Sequence, residues 1–191
     1  MKTRFGIEVG LICVLGCLVL QVALGGAQSP QEKEPGPWAK AKVGDYLETE
    51  GLYEDMLGDT VVDVENTVTA ADDQTVTVKT VRRFKGKSPK EFSTKLPRYV
   101  SKADYGKLMA QYGEKTRTLK YSLDGKEVDA EEYSKKDTDP KEPDTYAITT
   151  TLISKEVPSW VLRISRKMYI KGQPRNAKLL LDVKRFFRKD K

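Results

Sequence analysis

Apolar and polar residues alternate one for one along most of the chain from residue 43 onward, and this two-residue period restricts the fold more than any other feature. Successive side chains of a β-strand point to opposite faces, so alternation marks a strand with one face buried. Over residues 60–69, Val62, Val64 and Val68 fall on one side and Asp63, Glu65 and Thr67 on the other. A turn is expected over 70–74, after which residues 75–84 repeat the pattern with Val76 and Val78 against Thr77 and Lys79, so the two β-branched runs predict a hairpin. Residues 43–49 open an earlier strand that runs toward Met56. Residues 116–123 and 126–133 flank Asp124-Gly125, a pair suited to the positive φ angles of a type I′ turn, and predict a second hairpin. Residues 145–154 read as a threonine-rich strand, and 160–170 with 177–183 form a last hairpin around Gly172 and Pro174. The stretch 88–100 holds Pro89 and Pro97, which predicts an edge strand or a loop.

One segment changes period. Tyr105, Leu108, Met109 and Tyr112 recur at helical spacing, Ser101 stands three residues before Asp104 in the manner of an N-cap, and Gly113 suits a helix stop. A parallel sheet needs a crossover helix for nearly every strand, and one helix cannot supply them. The expected fold is therefore mainly β: a curved antiparallel sheet, half-barrel or barrel, with one short amphipathic helix, in a single domain over 38–191.

The N-terminus carries an address. Lys2 and Arg4 precede an apolar run over 9–20, and small residues over 23–27 lead into polar Gln28-Ser29-Pro30. That layout predicts a secretory signal peptide over 1–27 cut after Ala27, a periplasmic or extracellular location, and no transmembrane segment after cleavage. Two alternatives remain at this stage. Residues 9–27 approach the roughly 20 needed to span a bilayer, so the segment also suits an N-terminal membrane anchor. Val14-Leu15-Gly16-Cys17 loosely resembles a lipobox, which implies a lipoprotein. Cys13 and Cys17 are the only cysteines, so cleavage after Ala27 leaves a chain without thiols, disulfides or thiolate chemistry. Residues 28–37, polar with three prolines, are expected to be a flexible linker.

The chain has no histidine, which removes the Ser-His-Asp and Cys-His pairs, the imidazole base and the His-ligated metal site. Neither a Walker-type loop nor a dinucleotide fingerprint is present. Glu131 and Glu132 are sequence neighbours and point to opposite faces of a strand, which does not make an acid/base pair. Asp137, Asp139, Glu142 and Asp144 share a loop, but Pro140 and Pro143 interrupt it and no EF-hand glycine is in register. No enzyme, no cofactor and no metal site is expected.

Charge is unevenly spread. Residues 28–74 carry 12 acidic and 3 basic side chains, and residues 155–191 carry 12 basic and 3 acidic. Ion pairing between the first and last strands accounts for this, since the two are often neighbours in antiparallel folds. The sharper alternative is an anion-binding face in which Lys184, Arg185, Arg188 and Lys189, with Phe186 and Phe187 among them, meet lipid headgroups or an anionic envelope polymer. Nucleic acid is not an expected partner, because the export signal sends the chain elsewhere.

The order of signal peptide, tryptophan with a Val-Gly-Asp-Tyr strand, valine/threonine hairpin, Asp-Gly-Lys-Glu turn, Glu156-Val157-Pro158 and a final hairpin resembles small exported bacterial proteins. In layout it is also similar to the half-barrel of periplasmic lipoprotein-localisation factors. That resemblance implies an apolar cavity between a curved sheet and a helical lid, filled by an apolar ligand, a lipid or a lipoprotein. The functional expectation is a non-enzymatic binding module with Tyr105, Leu108, Met109, Tyr112 and Trp160 as candidate ligand contacts. The alternative is a structural or interaction protein of the cell envelope that uses its basic C-terminal hairpin.

Overall fold

A computed structural model of the chain describes residues 32–55 and 58–188; the expected signal peptide at 1–27 lies outside them. In chain order the elements are β1 (Lys33–Pro35), β2 (Tyr46–Asp55), β3 (Gly58–Ala71), β4 (Thr75–Phe84), β5 (Lys90–Pro97), β6 (Tyr99–Ser101), α1 (Lys102–Tyr112), β7 (Glu114–Leu123), β8 (Lys126–Thr138), β9 (Tyr146–Ile153), β10 (Val161–Ile170) and β11 (Gln173–Phe187). The fold is mainly β with one short helix, as the alternation predicts.

Nine strands form one antiparallel sheet in the order β5-β4-β3-β2-β11-β10-β9-β8-β7. Two meanders are thus joined at the centre, where β2 pairs with β11. In β3, Val62, Val64, Asn66 and Val68 are buried on one face, opposite Val76, Val78 and Thr80 of β4. Two polar residues are tolerated in that row because they satisfy each other: the Thr80 hydroxyl donates to Asn66 Oδ1 at 2.8 Å. The turn at Asp124 and Gly125 has φ of 51° and 73°, which matches the positive angles that the dipeptide was expected to adopt.

Three differences from the sequence reading have simple causes. β8 continues to Thr138 because it keeps pairing with β9, with Lys135 opposite Thr149 and Thr138 opposite Tyr146, so Asp137 lies in a strand and not in the loop expected to hold it with Asp139, Glu142 and Asp144. Within the expected linker, Lys33–Pro35 forms β1 and pairs with Tyr99–Ser101, and Lys102 Nζ meets Glu32 at 2.9 Å. The barrel or half-barrel is not reached, because the sheet is neither closed nor strongly curled and its edges β5 and β7 do not pair. Edge strand β5 ends in Pro97, which has no N–H to donate, and carries Lys90 and Lys95, the kind of residues that discourage further pairing.

The helix is bounded as its sequence predicts. Ser101 accepts the Asp104 N–H at 3.1 Å, and Gly113 closes the C-terminus with φ 91° while its N–H donates to the Ala110 carbonyl. A Cβ at Gly113 would fall on the Ser134 carbonyl, so the end of α1 lies directly on β8. Tyr105, Leu108 and Met109 are half-buried against a core containing Leu47, Ile153, Leu162, Ile164, Leu181 and Val183. Each fully buried aliphatic side chain there contributes about 1.5–3 kcal/mol. A smaller cluster forms under the segment 36–45, where Trp38 and Ala41 pack on Val68, Val76, Val78 and Leu96. Arg98 fastens that segment down, donating to the carbonyls of Ala39, Ala41 and Asp72 at 2.5, 2.9 and 2.6 Å.

Candidate functional site: a cleft beside the helix

Four separate stretches of chain meet at one cleft. The segment 34–41 forms one wall, Tyr105 of α1 and the loop 154–160 between β9 and β10 form the other, and Arg188 enters after β11. The volume is about 230 Å³, below the roughly 300–1,000 Å³ of sites that hold drug-sized ligands. The cleft therefore suits a small molecule, or one group of a larger one.

The loop 154–160 is tightly folded. The Ser154 N–H donates to the Trp160 carbonyl at 2.7 Å, the Trp160 N–H donates to the Val157 carbonyl at 3.1 Å, and Val157 is fully buried. Ser159 and Trp160 both sit in the left-handed region, with φ of 67° and 65°. Such backbone costs about 1–3 kcal/mol per residue and persists only where the surroundings hold it. The effect is to fix the Trp160 ring edge-on to Tyr105, with centroids 6.1 Å apart and an interplanar angle of 77°. Lys155 Nζ lies 5.9 Å from the Tyr105 ring centre and 5.7 Å from that of Trp160, and donates to the Tyr105 hydroxyl at 3.3 Å.

Of the five expected ligand contacts, the structure brings Tyr105 and Trp160 together at the cleft. Leu108 and Met109 pack on the same core as Tyr105 and Trp160 but do not line the cleft. Tyr112 is buried, its ring tilted on Tyr133 with centroids 6.0 Å apart, and burial pushes its hydroxyl up to about 12. Tyr133 also rises to about 12, through burial and then the hydrogen bond it donates to Glu131 at 2.9 Å. Glu131 is held below the usual carboxylate value first by its hydrogen bond from Lys115, and Glu132 by that from Arg117. Each carboxylate is thus taken up by a basic partner.

The four expected anion-binding residues divide differently. Lys184 Nζ reaches Glu50 at 3.3 Å and Asp182 at 3.4 Å, and Arg185 Nε meets Glu48 at 2.5 Å. The acidic and basic ends of the chain are therefore joined by ion pairs across β2 and β11. Arg188 lines the cleft, and Lys189 lies outside the described residues. The sequence reading missed Lys155, Lys40 and the wall at 34–41. Lone lysines and a proline-rich stretch carry no signal of position until the fold joins them.

A second, wider depression lies over the β3–β4 turn, lined by Asp72, Asp73, Gln74, Arg98 and Tyr99. Its most polar group is already satisfied, because Asp72 accepts from the N–H groups of Gln74 and Thr75 and from the Thr75 hydroxyl. The described residues hold no cluster of three or more acidic side chains able to bind a metal ion. No described helix is long and apolar enough to cross a membrane. No known family, curated protein or solved structure matches the chain.

Proposed function

We propose that this chain is an exported, non-enzymatic binding module that holds an apolar ligand, or an exposed apolar group of a lipidated partner, in the cleft between α1 and the segment 34–41. The observation that carries this reading is Trp160. A bulky residue is kept in left-handed backbone beside Tyr105, at a cleft walled by Pro35, Pro37, Ala39, Ala41 and Pro158. Strain of that kind concentrates at sites where a side chain must be presented in one orientation. Beyond Tyr105 the helix stripe does not supply the site, because Leu108, Met109 and Tyr112 pack on the sheet's own side chains without lining the cleft. The envelope-surface alternative draws less support, since Lys184 and Arg185 already face Glu50 and Glu48.

The test uses an uncharged apolar probe of a size the cleft can take, toluene, titrated into the purified protein while the Trp160 indole resonance is followed by NMR. Saturable one-to-one uptake that shifts the Trp160 signal and leaves Trp38 unmoved is the expected result. Lack of uptake, together with a native mass spectrum showing no bound species, would count against the proposal.

A further inference from the structure

Many cations of the sheet have a carboxylate partner: Lys79 with Glu91, Arg83 with Glu65, Lys115 with Glu131, Arg117 with Glu132, Lys120 with Asp129 and Arg163 with Asp182. Others, such as Lys126, Lys136 and Lys167, lie over single aromatic rings. The cleft differs in gathering three cations at one place. Lys40, Lys155 and Arg188 line it, and among the described residues none of the three has a carboxylate within ion-pair distance. Lys155 instead rests against two aromatic faces. The Nε of Arg188 is buried and has no hydrogen-bond acceptor. A guanidinium N–H shut off from water without an acceptor is costly, more so than a neutral donor in the same place. One acidic residue, Glu34, lines the same cleft, so the local balance favours an incoming negative charge.

Building on the binding module proposed above, we infer that the ligand is a small anionic amphiphile: a carboxylate or phosphate head held by Arg188 and Lys155, carried on a short apolar body that lies against Trp160 and Tyr105. Arg188 supplies a planar N–H donor suited to an oxyanion, and Lys155 adds a second positive charge without requiring a fixed angle. Size sets the other limit. At about 30 Å³ for each water-sized group, the 230 Å³ of the cleft has room for roughly eight such groups. A long acyl chain does not fit, whereas a six-carbon acid or a single ring bearing an acid group does.

The experiment compares hexanoate, hexyl phosphate, hexanol, hexylamine and inorganic phosphate on the intact protein, by calorimetry and by the Trp160 indole resonance. Hexanoate or hexyl phosphate is expected to bind at least tenfold more tightly than hexanol, with hexylamine weakest and with affinity falling as salt is raised. Arg188→Gln and Lys155→Gln should each lower affinity for the acid at least fivefold and lower that for hexanol by a clearly smaller factor. Which of the two acids binds more tightly assigns the head as carboxylate or phosphate. Hexanol binding as tightly as hexanoate would overturn the inference, and so would inorganic phosphate binding as tightly as hexyl phosphate. Uptake of toluene without any preference for the acids would overturn the inference alone. Failure of toluene and of every six-carbon compound would overturn the binding module with it.

Discussion

Replacing Arg98 should release one wall of the cleft while leaving the sheet standing. Its guanidinium donates to the Ala39 carbonyl at 2.5 Å and the Ala41 carbonyl at 2.9 Å, both partly buried, and to the Asp72 carbonyl at 2.6 Å in a solvent-exposed position. Its own carbonyl accepts the Gly36 N–H at 2.7 Å, and a Cβ at Gly36 would come within 3.1 Å of that oxygen. Hydrogen bonds from a charged donor contribute about 1.5–3 kcal/mol each, and the exposed one far less. Taking the lower figure for the two partly buried bonds, Arg98→Met should cost about 3 kcal/mol. Since each 1.36 kcal/mol is a factor of ten, the amides of Ala39 and Ala41 should exchange with solvent about a hundredfold faster. Arg98→Lys keeps the charge but cannot reach three carbonyls from one point, so about half the loss, roughly tenfold, is expected there. Amide exchange read by NMR or mass spectrometry is the assay, with core amides such as those of Leu162 and Val64 as the internal control. Unchanged protection at Ala39 and Ala41 in Arg98→Met would refute the clamp, and a uniform rise across the sheet would show that Arg98 supports the whole fold rather than this wall.

Tyr112 provides a pH test: its hydroxyl titrates near 10 when unfolded and is pushed up to about 12 by burial, so its contribution is fully present below pH 10 and lost as pH rises toward 12. The loss should be about 2.7 kcal/mol, and melting curves between pH 9 and 12 should be flatter in Tyr112→Phe. Gly113→Ala places a Cβ on the Ser134 carbonyl at a φ of 91° and should cost at least about 2 kcal/mol in urea unfolding. Ser159→Gly relieves left-handed backbone at φ 67° and, net of the flexibility glycine adds to the unfolded chain, should raise stability in urea unfolding by up to about 1 kcal/mol. Glu50→Lys and Lys184→Glu should each destabilise the fold and recover when combined. Both side chains are 42% exposed, so the coupling should fall within about 0.2–1 kcal/mol and shrink in high salt.

The strands were legible because burial of one face writes a period of two into β3, β4, β9 and β10, and because Asp124-Gly125 has few other uses. Helix α1 was legible from both its ends, Ser101 and Gly113. The three-residue strand β1 was not, because a segment that short is a strand only through its partner, Tyr99–Ser101. Closure of the sheet was also hidden, since alternation reports which face is buried and says nothing about whether the two edges meet. The same limit applied to the cleft. Tyr105 and Trp160 stood out as aromatics, but their meeting depends on a loop whose backbone angles no residue type announces. Lys155 and Arg188 became distinctive only because the fold places them in one cleft, neither with a carboxylate at ion-pair distance among the described residues. The unequal charge of the two ends was plain in the sequence, and the pairing of β2 with β11 supplied its physical meaning.

That central pairing also sets an order of events for the newly made chain. Glu48 and Arg185 are 137 positions apart, so the middle of the sheet is its most distant contact in sequence, while each outer meander is built from neighbours. Local hairpins form quickly and remote pairings slowly. The two flanks can therefore take shape on their own, and the molecule becomes one body only when its late-synthesised strand arrives at the seam.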